Sequence, residues 1–333
     1  MCMKIKRSKL FLFALGFFGL LLACEYLIPP LTPTIPTAPT TPTQITKVDL
    51  DKVADDYPSV DSSTSAYPLQ MLIACKIMDV SCSWQTQIFD NTLFILPDLI
   101  DEEGLELLNT IPRSGTHGSY INLIEGAADF ILVAREPSDD ELEAAEDNDV
   151  ELDVQPVALD AFVFLVNVEN LIDTLTIDQI REIYRGDITE WSEFTSPGGP
   201  IQAYQRNPNS GSQELMEKLV MKGAPMIDAP FMMMQTMIGA INAVSGDPLG
   251  IGYSVYYYAT FMLPDENVKL IGINGVMPSA DNIADRSYPL TTEVYVVVRK
   301  DMSSGSTALM LRNWLLTTEG QNIVEESGYV PLD

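Results

Sequence analysis

Residues 206–212 read Arg206-Asn207-Pro208-Asn209-Ser210-Gly211-Ser212, a proline and a glycine among small polar side chains, just ahead of an apolar-periodic run. Two other segments are likewise rich in small hydroxyl residues, one with a proline and one with glycines: Ser62-Ser63-Thr64-Ser65-Ala66-Tyr67-Pro68 and Ser114-Gly115-Thr116-His117-Gly118-Ser119. A helix start presents unpaired N–H groups and the positive end of the helix dipole, and Ser and Thr hydroxyls add donors. Any one of these segments alone reads as ordinary N-capping. Three in one chain, one carrying an arginine, point to an anion site, most naturally for a tetrahedral oxyanion.

Around these segments strands and helices alternate. Apolar, β-branched runs stand at Phe130–Val133, Ala161–Val168, Leu249–Tyr258, Val268–Ile273 and Glu293–Arg299. Capping boxes are expected at Ser138-x-x-Glu141, Thr176-x-x-Gln179, Ser210-x-x-Gln213 and Thr318-x-x-Gln321. The alternation predicts α/β architecture with mostly parallel sheets. The stretch Leu69–Val80 reads as helix. Met232–Met234 and Met237 sit at helical spacing and read as core packing. Residues 139–153 carry nine acids in 15 and read as a solvated face and loop, without the spacing of a calcium loop.

Composition narrows the function classes. The chain has 333 residues, 46% hydrophobic and 20% charged, enough for two domains and a sizeable core. With 47 Asp+Glu against 19 Lys+Arg its net charge is −28, which argues against nucleic acid and against charge-held binding to anionic lipid. His117 is the single histidine, so a multi-histidine metal site is impossible and none is expected. It is also the only histidine base open to a serine hydrolase, and no Gly-x-Ser-x-Gly elbow appears, so no enzyme is expected.

The N-terminus reads as an address. Lys4, Lys6, Arg7 and Lys9 precede the apolar run Leu10–Ala23, which is short for a membrane span and right for a secretory segment. It ends in Leu21-Leu22-Ala23-Cys24, which resembles a bacterial lipobox; the plainer readings are an ordinary signal peptide or a short anchor helix. Cleavage after residue 23 removes those four cations and takes the charge from −28 to −32. Residues 29–43, PPLTPTIPTAPTTPT, place Pro30, Pro33, Pro36, Pro39 and Pro42 on one face of a stiff polyproline II tether. At roughly 3.1 Å per residue it reaches about 45 Å. In an oxidising compartment Cys75 and Cys82 are candidates to pair; two inert thiols are the alternative.

From about Val60 to Leu332 the order of motifs resembles the substrate-binding lipoproteins of phosphate ABC transporters, the PstS family. The pieces are Asp61–Pro68 (DSSTSAYP), Ser114-Gly115-Thr116, Gly126-Ala127-Ala128-Asp129, Ala158–Phe162, Leu175–Ile180, Gly186–Trp191, Arg206–Ser212, and Glu319-Gly320-Gln321 with Gly328–Leu332. The resemblance implies a two-lobed periplasmic-binding-protein type 2 fold with a hinge of two crossover strands, near Leu159–Val166 and Thr292–Val298. Lobe I would hold 44–160 and 291–333, and lobe II 161–290, behind a signal peptide (1–23) and a lipidated Cys24 with its tether (24–43).

The implied function is an extracytoplasmic, lipid-anchored protein that captures inorganic phosphate for the membrane permease of an ABC importer, with no cofactor. The implied ligands are Ser65, Ala66, Tyr67, Ser114, Thr116, Asp129, Arg206, Ser210, Gly211 and Ser212. Arg206 offers a planar charged fork to oxyanion oxygens. Asp129 would only accept, and so would select an anion that still carries a proton. Ser62 and Ala66 depart from the family's usual glycine and threonine, and Pro208-Asn209 replaces an acid that commonly braces the arginine. His117 is expected to cap a loop rather than meet the ligand. Arg135 is left open between bracing Asp129, facing the site and pairing with the acidic run. The alternative is a surface adhesin or sensor lipoprotein of the same fold that reads a different oxyanion or ligand.

Overall fold

The computed structural model describes residues 48–98, 102–194 and 198–332. The leader, Cys24 and the Pro/Thr tether lie outside the described residues. Along the chain run α1 (Leu50–Asp55), β1 (Val60–Ser62), α2 (Tyr67–Ile77), the hairpin β2 (Cys82–Thr86) and β3 (Leu93–Pro97), α3 (Glu102–Thr110), α4 (Gly115–Ile124), β4 (Phe130–Val133), α5 (Asp139–Asp147) and β5 (Leu152–Asn167). Next come β6 (Thr174–Leu175), α6 (Ile177–Arg185), β7 (Gln202–Ala203), β8 (Gln205–Arg206), α7 (Gly211–Leu215), β9 (Met233–Met234) and α8 (Met237–Ser245). The chain closes with β10 (Gly250–Val255), β11 (Val268–Leu270), β12 (Gly272–Ile273), α9 (Ala280–Ala284), β13 (Thr291–Arg299), α10 (Thr307–Leu315) and α11 (Thr318–Glu326).

Strand β5 organises the rest. Val157 through Asn167 is buried throughout, as its near-continuous apolar sequence requires of a strand covered on both faces. Its first part, Leu152–Ala161, pairs antiparallel with β13. From Phe162 onward it pairs instead with β10, and from Leu165 also with β11, both antiparallel. The full sheet runs β1-β4-β13-β5-β10-β7, with β11 on β5. Only β1/β4 and β10/β7 are parallel within it. The expectation of mostly parallel sheets is therefore corrected. Local alternation of strands and helices carries no signal of the long antiparallel ribbon that β5 and β13 make from sequence-distant parts.

Several local readings shift in detail. Ser138 and Thr176 form full capping boxes, and Ser210 caps Gln213. The last box moves by one residue: Thr317 caps α11 through Gly320, while the Gln321 amide donates to Val157 O and Leu315 O. The run expected as one strand at Leu249–Tyr258 ends at Val255, and Val268–Ile273 divides into β11 and β12. Met232, Met233, Met234 and Met237 are half-buried; Met237 packs against the core as expected, while Met233 and Met234 form β9 beside β8. Helix α5 is solvated except at Glu141 and Ala145. Cys75 and Cys82 are joined by a disulfide that ties the end of α2 to β2.

Asp160 is the one acid in the buried half of β5, beside the switch of partners at Ala161–Phe162. Its Oδ1 accepts from the N–H groups of Ala161 (2.8 Å) and Tyr257 (3.0 Å), and its Oδ2 has no partner. Burial lifts its pKa from the ordinary 3.8 to about 7, partly offset by those two N–H groups. The unfolded chain releases this proton near 3.8 while the folded chain keeps it to about 7. The stability it contributes is therefore full at low pH, is lost as pH rises through that window, and is level above it. Urea melts of wild type and Asp160→Asn over this range should show the wild-type advantage falling with pH and then levelling. A difference that stays constant would mean that Asp160 is already ionised in the fold.

Candidate oxyanion site

Three hydroxyl-rich segments, far apart in sequence, come to one cavity of about 480 Å³. Ser63, Thr64 and Ser65 reach it from the turn after β1, Ser114 to Gly118 from the start of α4, and Arg206 to Ser212 from the turn between β8 and α7. The carboxylate of Asp61, itself buried, stitches the first two together. Its Oδ1 accepts from Ser62 N (2.7 Å) and Ser114 N (2.9 Å), and its Oδ2 from Asn122 Nδ2 (2.6 Å). Gly115 opens α4 at φ +78°, a left-handed conformation that favours glycine. Across the cavity, a Cβ at Gly211 would stand 2.6 Å from Thr116 Oγ1, so the starts of α4 and α7 meet only because residue 211 has no side chain.

Arg206 is the electrostatic centre. Its backbone N–H is held by the Tyr253 hydroxyl at 2.9 Å. Its Nε donates to Met234 O (3.1 Å), Nη1 to Ser212 Oγ (2.9 Å) and Nη2 to Asn207 Oδ1 (3.3 Å). All three acceptors are neutral. Burial pulls its pKa down from the usual arginine value, against small opposing effects from Tyr253 and Tyr258. A guanidinium nevertheless remains charged in a protein. Of the eight arginines among the described residues, six are ion-paired: Arg135 with Glu141, Arg181 with Asp178, Arg185 with Asp187, Arg286 with Glu293, Arg299 with Asp129 and Arg312 with Asp153. The other two, Arg113 and Arg206, both line this cavity.

The expected ligand residues divide accordingly. Ser65, Ser114, Thr116, Arg206, Ser210, Gly211 and Ser212 line the cavity. Ala66 and Tyr67 do not; they are buried behind the first loop, donating to Ser63 Oγ (3.3 Å) and Ser63 O (3.1 Å). Asp129 is a correction. Its Oδ1 accepts from Arg299 Nη2 (2.8 Å) and its Oδ2 from Ser59 Oγ (2.7 Å), and it is not among the lining residues. It precedes β4, whereas the cavity opens past the far end of that strand at Ala134. Four strand residues at roughly 3.3 Å each separate the two by about 13 Å or more.

His117 does line the cavity, on the first turn of α4, with Nδ1 3.1 Å from Glu141 Oε1. Arg135 pairs with the acidic run: its Nη1 and Nη2 donate to Glu141 Oε2 (2.7 Å) and Oε1 (2.8 Å). Sequence reasoning missed Arg113, Asp90, Thr92, Gln235, Thr236 and Tyr258. Arg113 had a signal, adjacency to Ser114-Gly115; Asp90, Thr92, Gln235 and Thr236 arrive from distant loops and Tyr258 from the helical turn after β10. No group of three His, Cys, Asp or Glu side chains among the described residues is placed to hold a metal ion.

The sequence pattern of the PBP superfamily domain matches residues 108–316, and the chain belongs to that superfamily. It is 24% identical over 290 residues to the protein SphX of Synechococcus elongatus, with 83% of each chain covered. It is 28% identical over 241 residues to the phosphate-binding protein PstS of Pseudomonas aeruginosa, covering 67% of this chain and 73% of that one. A structure from Clostridium perfringens, solved with bound phosphate and assigned as a phosphate ABC transporter substrate-binding protein, superposes with a TM-score of 0.61 at 21% identity. It covers 83% of this chain and 99% of its own. The fold is the two-lobed periplasmic-binding-protein type 2 fold.

The Arg135–Glu141 pair beside the cavity is buried on both sides. Glu141→Ala would strand Arg135 without a counter-ion, an expected loss of about 3–5 kcal/mol. Denaturant unfolding measures it, and a loss below about 1 kcal/mol would show that Arg135 finds water or another acid instead.

Proposed function

We propose that this member of the PBP superfamily is an extracytoplasmic solute-binding protein that captures inorganic phosphate and delivers it to the membrane permease of an ABC importer. The observation that carries the reading is Arg206: buried, permanently charged, bonded only to neutral acceptors, and facing hydroxyls and helix starts. An anion from outside supplies the charge that the chain withholds. Phosphate has four oxygens to accept from the donors present. The relatives named for phosphate binding match this chain over most of their own length, which favours that oxyanion.

In this reading lobe I comprises 44–160 and 291–333, lobe II comprises 161–290, and β5 and β13 carry the hinge. Ser65, Ser114 and Thr116 donate from lobe I; Arg206, Ser210, Gly211 and Ser212 donate from lobe II. Ala66 and Tyr67 shape the first loop from behind. Lys218 Nζ, 2.6 Å from Glu136 Oε2, ties the lobes on a second face. Cys24 carries the lipid, and the Pro/Thr segment is its spacer. The protein binds without turnover and uses no cofactor. With the leader removed its charge of −32 repels phosphate at long range, so capture depends on local donors, with screening beyond about 8 Å at physiological salt.

Calorimetric titration of the full chain in detergent should show one phosphate bound per chain. Arg206→Ala should lose binding by about a hundredfold or more, since it removes the buried charge. Ser210→Ala should cost about 1–3 kcal/mol, one donor to a charged acceptor. Gly211→Ala should also weaken binding by forcing Thr116 aside. Absence of phosphate binding by the wild-type chain, or its retention by Arg206→Ala, would overturn the reading.

A further inference from the structure

Arg113 shares the cavity with Arg206 and is the only other arginine among the described residues that holds no carboxylate. Its guanidinium carbon lies 4.2 Å from the ring centroid of Phe94 and 5.2 Å from that of Tyr67. Those rings lie edge to face, with centroids 5.6 Å apart, and form a platform for the cation. A guanidinium laid on aromatic faces keeps its N–H edges free for a ligand in its own plane. Tyr258, buried in the cavity wall, lines the same cavity as both arginines.

The other charges near the cavity matter as much. Asp90 is the one acid among the lining residues; it is exposed, and its Oδ1 accepts from Thr92 N at 3.1 Å. His117 lines the rim with Nδ1 turned to Glu141. Among the described residues no buried carboxylate lines the cavity, and Asp129 stands at the far end of β4. A buried acid would reject an anion without a proton, acceptor against acceptor. Hydroxyls do not: they rotate to donate or accept as the ligand demands.

We propose that Arg113 is the second cation of the site and that the cavity takes fully deprotonated tetrahedral dianions, sulfate among them, about as readily as phosphate. This rests on reading the cavity as an anion site. It adds that the site selects charge and shape rather than the ligand's proton. Each cation attracts a dianion about twice as strongly as a monoanion, so two of them widen that gap.

Titration calorimetry of the full chain in detergent, with phosphate, sulfate and perchlorate at one pH and ionic strength, tests it. The three are tetrahedral; sulfate and perchlorate carry no proton and differ in charge. In wild type, sulfate should bind within about tenfold of phosphate and about a hundredfold or more above perchlorate. Arg113→Gln should shrink the sulfate-to-perchlorate ratio by about tenfold without moving Tm, and Arg113→Lys should restore most of it. Asp90→Asn should leave the phosphate-to-sulfate ratio unchanged. A phosphate preference above about a hundredfold, its collapse in Asp90→Asn, or an unchanged charge ratio in Arg113→Gln would each overturn the proposal. If phosphate binds and sulfate does not, only this proposal falls; if neither binds, the anion-site reading falls with it.

Discussion

A guanidinium drawn out of water needs negative charge, and in this chain negative charge is abundant. The sequence holds 47 carboxylates against 19 basic side chains. Six of the eight arginines among the described residues find one. Keeping Arg206 buried and bonded only to neutral acceptors is therefore a constraint on the whole fold. Left unanswered, it is the kind of arrangement that costs several kcal/mol. The rest of the cavity makes sense as the surroundings of a charge reserved for a ligand.

The architecture keeps the acids away. Strands β1 and β4 run parallel, so the turns after Ser62 and Val133 open at one end of the sheet. Acids that face inward nearby are already committed. Asp61 accepts three hydrogen bonds from the loops it joins. Glu141 is taken by Arg135 and by the N–H of Ser138. Asp129 is taken by Arg299 at the opposite end of β4. What remains at the cavity is one exposed acid, Asp90, with hydroxyls, N–H groups at the starts of α4 and α7, and two arginines. Gly211 lets those helix starts come within contact of each other.

Much of this was legible in the sequence, because the chemistry is local. Ser114-Gly115-Thr116 and Arg206–Ser212 announce helix starts rich in donors, and their composition needs no tertiary information. The long apolar run of β5 and its later partner β13 were equally visible, as was the order of motifs. What could not be read depends on which end of an element faces the cavity. Asp129 and Ala134 are five residues apart, and only the direction of β4 decides which of them matters. The antiparallel sheet, too, arises from β5 meeting β13 across more than a hundred residues of chain. Arg113 sits next to a recognised motif, yet its role depends on Phe94 and Tyr67 arriving beneath it from other elements.

The most direct measurement is a crystal structure of the protein with arsenate, a tetrahedral phosphate analogue whose arsenic can be located by anomalous scattering. One arsenic peak is expected inside the cavity, with oxyanion oxygens in hydrogen-bond range of the Arg206 and Arg113 guanidinium groups and of Ser114, Thr116 and Ser210. An empty cavity at saturating arsenate, or a peak held elsewhere with both arginines unengaged, would contradict it.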